Sequence, residues 1–215
     1  MALSIVATSS RDELKGGTTF TKSHSCSGSN RLLVVCVVIT SSSEHTCTGV
    51  KYNGIPLSIA VQRQNTYPYT RSSIWYLVNP PSGTYNIEVT FDSDPLESAS
   101  FAAISFAGAD QTDPIGATGS NFVNSDSIFV NLTTQRNNSY LVDAEGAGTT
   151  SNHPDSSQTV VHEGGGGRRY VTYKATGTAG SYLMSYTGAT RYRVLCVAEI
   201  KEWVPISRSH GYIFG

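Results

Sequence analysis

Asp143 and Glu145 are the one pair of acidic residues that a predicted strand places on a single face. Side chains two residues apart in a strand project to the same side. Such a pair could supply a general acid and a general base for hydrolysis if burial raised the pKa of one carboxyl group. A solvated strand face explains the same spacing, and we favour it. The chain also has no G-x-S-x-G nucleophile motif, so we expect no enzymatic activity.

A short aromatic loop provides a second candidate site. Tyr67 and Tyr69 lie in a Tyr-Pro-Tyr-Thr segment, close in sequence to Asn65 and Arg71. Sugar rings stack their apolar faces on aromatic rings, and their hydroxyl groups bond to nearby polar groups. The sequence therefore predicts carbohydrate binding at Tyr67, Tyr69 and Arg71, with an ordinary loop of packed tyrosines as the alternative.

No group of residues has the spacing of a metal or cofactor site. His153 and His162 are not separated by four residues, and the cysteines form no C-x-x-C pair. The Gly164–Gly167 run lacks the Lys and Ser/Thr of a phosphate-binding loop and is predicted to be a hairpin turn. We therefore assign no metal ligands and expect no cofactor. The sequence leaves open a structural calcium ion held by loop residues such as Asp110 and Asp113.

The four cysteines divide into two kinds. Cys36 and Cys196 lie inside apolar runs and are predicted to be buried free thiols. Cys26 and Cys47 flank one predicted strand, and the sequence leaves open whether they form a disulfide.

Composition limits the partners of the chain. Charged residues make up 14% of 215 residues, the net charge is -1, and there is no basic block, so we expect no nucleic-acid partner. The longest apolar run, Leu32–Ile39, has eight residues. A membrane helix needs about 20, so we expect no membrane association. The N-terminal residues lack the charged and apolar regions of a signal peptide, which predicts synthesis in the cytoplasm without export by a signal.

Apolar periodicity predicts an all-β fold. Leu32–Ile39 is continuous and β-branched, which is typical of a strand buried on both faces. Thr84–Phe91 alternates apolar and polar residues, and Asn53-Gly54 predicts a tight hairpin with Pro56 at an edge. Residues 115–125 look like a connection. The remaining predicted strands are Thr18–Lys22, Arg71–Val78, Ser100–Gly108, Ser127–Leu132, Tyr140–Ala144, Gln158–His162, Arg169–Lys174, Ser181–Tyr186 and Arg193–Ile200.

The second half of the chain echoes the first. Gly83-Thr-Tyr85 and Gly180-Ser-Tyr182 begin matching strands, each after an aromatic strand. Short strands at regular spacing predict an antiparallel two-sheet β-sandwich or jelly roll. The echo is explained either by a pseudo-repeat of two four-stranded halves or by the strand-turn-strand texture common to β-sandwiches. We assign residues 1–202 to a single domain, with an N-terminal arm at 1–17, and residues 203–215 to a C-terminal tail.

Several segments resemble a β-sandwich module, jelly-roll-like or concanavalin-like, of phage virion, tail-fibre-like and environmental bacterial proteins. They are Asn30-Arg-Leu-Leu-Val-Val, Val50-Lys-Tyr-Asn-Gly, Ile74-Trp-Tyr-Leu, Pro80-Pro-Ser-Gly-Thr84, Phe106-Ala-Gly-Ala-Asp-Gln-Thr-Asp-Pro114, Gly180-Ser-Tyr-Leu-Met-Ser185 and Val197-Ala-Glu-Ile-Lys201. The resemblance covers roughly residues 18–202 and brings no catalytic residues.

The resemblance implies a structural component of a phage virion, either a capsid decoration or cement protein or a tail or fibre protein. We expect such a protein to form homo-oligomers and to contact other virion proteins. Tyr212, Ile213 and Phe214 form an apolar end of the tail and are predicted subunit contacts. The expected location is the virion, or otherwise the extracellular space. A carbohydrate-binding module that uses the Tyr67/Tyr69 loop is the alternative function.

Overall fold

The computed structural model describes residues 2–65, 69–95, 98–148, 152–188 and 192–205. These residues form 17 strands with antiparallel pairing, arranged in four sheets. The predicted all-β antiparallel sandwich is confirmed. Within the described part of the chain, no helix is long and apolar enough to cross a membrane.

The first half of the chain forms two sheets, which we call the first sandwich. Its inner sheet has the order β1-β9-β3-β7-β6, and its outer sheet has the order β2-β8-β4-β5. The strands are β1 (Ser4–Arg11), β2 (Thr19–Cys26), β3 (Leu32–Ser41), β4 (Cys47–Tyr52), β5 (Ile55–Pro56), β6 (Ser58–Gln64), β7 (Tyr69–Val78), β8 (Gly83–Phe91) and β9 (Ala99–Ala107).

The second half forms the second sandwich. Its inner sheet has the order β10-β17-β12-β15-β14, and its outer sheet has the order β11-β16-β13. The strands are β10 (Ile115–Val123), β11 (Ser127–Thr133), β12 (Tyr140–Ala147), β13 (His153–Pro154), β14 (Thr159–Gly164), β15 (Arg169–Ala175), β16 (Ser181–Thr187) and β17 (Arg193–Ile200).

The four sheets stack in four layers, with the two inner sheets face to face. Strand β3 shows why. Its residues Leu33, Val35 and Val37 pack toward the first outer sheet, whereas Val34 and Cys36 pack toward the second inner sheet. All five side chains are at most 1% exposed. The predicted burial of both faces of this strand is confirmed.

The two sandwiches place their strands in the same spatial order. The order β1-β9-β3-β7-β6 matches β10-β17-β12-β15-β14 position by position. Asn30 and Asn138, each two residues before the equivalent strands β3 and β12, share a φ of 53°. The sequence repeat itself stays a prediction, and each half contains more than the four predicted strands.

One predicted connection is wrong, because residues 115–125 contain strand β10. Its glycines made the segment look like a connection in the sequence. A Cβ atom at Gly116 would lie 2.2 Å from the Glu199 carboxylate, and one at Gly119 would lie 2.8 Å from Val130. Glycine in a strand often marks such a close approach. The sequence patterns did not predict β6 or β1. Strand β1 lies within residues 1–17 and pairs with β9.

The Asn53-Gly54 hairpin is confirmed. It joins β4 to the two-residue edge strand β5, with positive φ at both turn residues. The Gly164–Gly167 hairpin turn between β14 and β15 is also confirmed.

Asp12 lies in the connection between β1 and β2 of the first sandwich. It forms hydrogen bonds to the Gly164–Gly167 hairpin region of the second sandwich. Its Oδ1 accepts a hydrogen bond from Arg169 Nη2 at 2.9 Å, and its Oδ2 accepts one from the Gly165 backbone at 3.0 Å. His162 Nε2 lies 3.6 Å from Oδ1. Burial by itself would raise the pKa of Asp12, but these hydrogen bonds and the charge of Arg169 outweigh burial and lower the pKa well below its usual value.

We expect Asp12→Asn to lower the free energy of unfolding at pH 7 by about 1–3 kcal/mol, because buried donors of Arg169 lose a charged acceptor. Urea titration measures this difference. Folding lowers the pKa of Asp12. Ionised Asp12 therefore contributes its full share of the free energy of unfolding at pH values above the ordinary Asp pKa of about 3.9. The difference in free energy of unfolding between wild type and Asp12→Asn should therefore decrease as the pH falls below that value.

Asp113→Asn is the matched control. The Asp113 carboxylate pairs with Lys201 but is 72% exposed, so its loss should cost less than about 1 kcal/mol. Equal stability of wild type and Asp12→Asn at pH 7 would contradict a role for Asp12 in joining the sandwiches.

Candidate functional site

A cleft of about 360 Å³ opens between the two sheets of the first sandwich. Apolar side chains of β3, Val37 and Ile39, line its inner part. Polar side chains of β6 and β7 line one wall, and the start of β4 contributes to the other wall. The polar and β4 lining consists of Gln62, Arg63, Gln64, Arg71, Ser72, Ser73, Thr46 and Cys47.

The cleft exists because the two sheets differ in size. The inner sheet has five strands and ends in the seven-residue β6, whereas the outer sheet ends in the two-residue β5. Part of β6 and β7 therefore faces no covering strand, and Gln62 and Gln64 are exposed.

Strand β7 positions two of the three residues predicted to bind carbohydrate. Tyr69, Arg71 and Ser73 alternate along the strand, so they share the face that Trp75 presents to the outer sheet. Arg71 pairs with Gln64 of β6 and lines the cleft, and Tyr69 lies half-buried two residues beyond it. Tyr67 lies outside the described residues.

The charge of Arg71 is compensated within the protein. Its Nη2 donates to Glu44 Oε1 at 2.6 Å, and its Nη1 donates to Thr46 Oγ1. Its buried Nε has no hydrogen-bond partner among the described residues. The guanidinium therefore brings no unpaired positive charge to the cleft.

The groups around the cleft suit a neutral ligand rich in hydroxyl groups. The amides of Gln62 and Gln64 can both donate and accept hydrogen bonds, and the Ser73 hydroxyl, whose oxygen accepts from Trp75 Nε1 at 2.8 Å, can donate its proton. Cys47 lines the cleft as a thiol, since burial raises its pKa to about 12, and it is no nucleophile at neutral pH.

Sequence reasoning missed Gln62 and Gln64 because it did not find β6. The apolar residues Ile59 and Val61 alternate, which is a strand signal, but the register shifts between them and the segment ends in three polar residues. The clearer signal was Ser73, which shares a strand face with the predicted Arg71.

Asp143 and Glu145 lie in the second sandwich, and the interpretation of their strand as a solvated face is wrong. Both side chains are 0% exposed and face the second outer sheet between apolar residues of β12 and β17. Counted from the first residue of each strand, they occupy the positions that Val35 and Val37 hold in β3.

Hydrogen bonds compensate the buried Asp143. Its Oδ1 accepts from Thr172 Oγ1 at 2.7 Å, from the Thr172 backbone at 3.0 Å and from Tyr186 at 2.9 Å. Its Oδ2 accepts from Gln158 at 3.1 Å. Burial raises the pKa of Asp143 to about 7, although the bonds from Thr172 and Tyr186 act in the opposite direction.

Glu145 faces a buried cation instead. Arg193 Nη1 lies 3.8 Å from its Oε1, and Asn152 Nδ2 donates to its Oε2 at 3.2 Å. Arg193 is also 0% exposed. Burial raises the pKa of Glu145 well above its usual value, while the charge of Arg193 lowers it.

No metal site was found among the described residues, where no three His, Cys, Asp or Glu side chains come together. Cys36 and Cys196 are buried free thiols, as predicted, and Cys26 and Cys47 are free as well.

The predicted subunit contacts Tyr212, Ile213 and Phe214 lie outside the described residues. The chain leads toward them from Trp203 and Val204, which are 37% and 50% exposed. A hydrogen bond of 2.8 Å from the Trp203 backbone to Gly108 fixes this departure point.

Comparison with known proteins gave no match to any family model, any curated protein or any solved structure.

We expect Glu145→Leu to lower the free energy of unfolding by about 3–5 kcal/mol, because it removes the buried carboxyl group that faces the Arg193 cation. Chemical denaturation measures the change. The double variant Glu145→Leu/Arg193→Met removes both charges and should regain most of that loss. A double variant no more stable than Glu145→Leu alone would contradict the pairing.

Proposed function

We propose that this protein is a non-enzymatic carbohydrate-binding module that uses the cleft of the first sandwich. The observation that carries this proposal is the lining of uncharged polar groups, Gln62, Gln64 and Ser73, on the strand face that half-buried Tyr69 shares with Ser73. Concave sites with a few oriented polar groups are the common form of small-ligand sites.

The chemistry of each group supports a sugar. Sugar hydroxyl groups exchange hydrogen bonds with the amides of Gln62 and Gln64 in both directions. An aromatic ring such as that of Tyr69 accepts the apolar face of a pyranose by stacking. Because Glu44 already neutralises Arg71, this arginine does not require an acidic sugar.

A glycan array followed by isothermal titration calorimetry tests this function. We expect a neutral glycan to bind, and Gln64→Ala and Tyr69→Ala each to weaken binding about tenfold or more, since each removes one contact of roughly 1.4 kcal/mol. Gln135→Ala is the control, because its side chain is exposed in the second sandwich away from the cleft. Absence of any glycan ligand, or unchanged affinity of both cleft variants, would overturn the proposal.

The second candidate function is a structural component of a phage virion, in the capsid decoration or the tail fibre, that forms homo-oligomers and contacts other virion proteins. Two observations support it: the resemblance of several segments to virion modules, and the exposure of Trp203 and Val204 where the chain continues to Tyr212, Ile213 and Phe214. Exposed apolar residues grouped in this way are typical of interaction sites.

Light scattering coupled to gel filtration tests this second function with the full chain. We expect an oligomer that Trp203→Ser/Val204→Ser weakens. Phe129→Ser, which removes a side chain 56% exposed on another surface, should leave the oligomer intact. A monomer at every concentration would count against assembly through the tail.

A further inference from the structure

A single glutamine amide in the second sandwich is surrounded by groups that could react with it. Gln158, just before β14, is 7% exposed, and its neighbours Thr172, Asp143 and Tyr186 are 0% exposed. Its Nε2 lies 2.9 Å from Thr172 Oγ1 and 3.1 Å from Asp143 Oδ2. None of these residues lines the cleft, so the cluster stands apart from the carbohydrate site.

The orientation of this amide follows from its hydrogen bonds. The backbone N–H of Ser185 donates to Gln158 Oε1 at 2.8 Å. The opposite orientation would set an NH2 group against that N–H, donor against donor. The nitrogen therefore faces Thr172 and Asp143, and the carbonyl oxygen faces Ser185.

Each group needed for acyl transfer is present around the amide. Thr172 supplies a hydroxyl nucleophile whose proton is donated to Asp143 Oδ1 at 2.7 Å, which makes Asp143 the base. The Ser185 N–H lies where negative charge would develop on the carbonyl oxygen. The second oxygen of Asp143 lies beside the leaving nitrogen.

We propose that Thr172 and Gln158 join in an intramolecular ester cross-link, formed by the protein itself with release of ammonia. The nucleophile and the amide are already in contact, because Oγ1 lies 2.9 Å from Nε2, the nitrogen bonded to Cδ.

The reaction balances without any co-reactant. Oγ1 attacks Cδ while its proton passes to Asp143, and the oxyanion forms on Oε1 opposite the Ser185 N–H. The Cδ–Nε2 bond then breaks as Asp143 returns the proton to the nitrogen, which leaves as ammonia. One amide is lost, one ester is formed, and Asp143 ends unchanged.

The surroundings favour the forward direction. Burial excludes the water that would hydrolyse an ester. Ammonia becomes protonated once it reaches solvent, which withdraws the product. The Asp143 pKa of about 7 leaves a large fraction of this carboxylate ionised and able to accept a proton at neutral pH.

Intact mass spectrometry of the purified full chain tests the proposal. We expect the folded protein to be lighter than its sequence mass by one ammonia, after allowance for the N-terminal methionine. After denaturation and trypsin digestion, the peptide Asn137–Arg168 should be joined to the peptide Tyr170–Lys174, and mild alkali should release the two peptides. A mass equal to the sequence mass after prolonged incubation at pH 8, with no joined peptide, would overturn the proposal.

Variants separate the cross-link from other routes to ammonia loss. Thr172→Val and Gln158→Leu should keep the full sequence mass, and Thr172→Ser should still lose ammonia because it keeps the hydroxyl. Asp143→Asn should fold, as judged by circular dichroism, but fail to cross-link. Thr176→Val is the matched control, because Thr176 is another buried threonine whose hydroxyl only donates to a backbone carbonyl. Loss of ammonia from Thr172→Val would refute the assignment of the nucleophile.

Discussion

The rest of the structure depends on the packing of the two inner sheets against each other. Each inner sheet is covered on one side by its outer sheet and on the other side by the opposite inner sheet. Strands β3, β9, β12 and β17 must therefore be apolar, or internally paired, on both faces. Apolar area removed from water contributes roughly 25 cal/mol per Å², so doubly buried strands hold a large share of the folding free energy.

The equivalent faces of the two sandwiches meet at this central layer. Val34 and Cys36 of β3 and the equivalent Val142 and Ala144 of β12 all belong to the same core. The opposite face of each inner sheet, which packs against its own outer sheet, carries different side chains in the two sandwiches. The first sandwich fills this space with Val35 and Val37, whereas the second fills it with Asp143 and Glu145 and the side chains that bond to them. Both proposed sites accordingly lie where an inner sheet meets its outer sheet.

Most of the strands could be predicted from the sequence because their patterns are local. The continuous apolar run at Leu32–Ile39 reflects burial of both strand faces. The alternation at Thr84–Phe91 reflects burial of one face. Strand β10 could not be predicted this way, since its glycines are required by close contacts with Glu199 and Val130, which belong to other strands.

The sites were harder to predict for the same reason. Tyr69 and Arg71 were identified by residue type, but the cleft depends on β5 being too short to cover β6, which concerns two sheets rather than one segment. The burial of Asp143 and Glu145 was missed because acidic residues are usually exposed, and their partners Gln158, Thr172 and Arg193 come from later in the chain.

The claim that the cleft of the first sandwich binds a glycan is tested most directly by nuclear magnetic resonance. The isotope-labelled protein is titrated with a neutral glycan that it binds, and the backbone amide chemical shifts are recorded. We expect shifts confined to Gln62, Gln64, Arg71, Ser73 and the start of β4, with β12 and β15 unchanged. Shifts centred on the second sandwich, or none at saturating glycan, would contradict the assignment of the cleft.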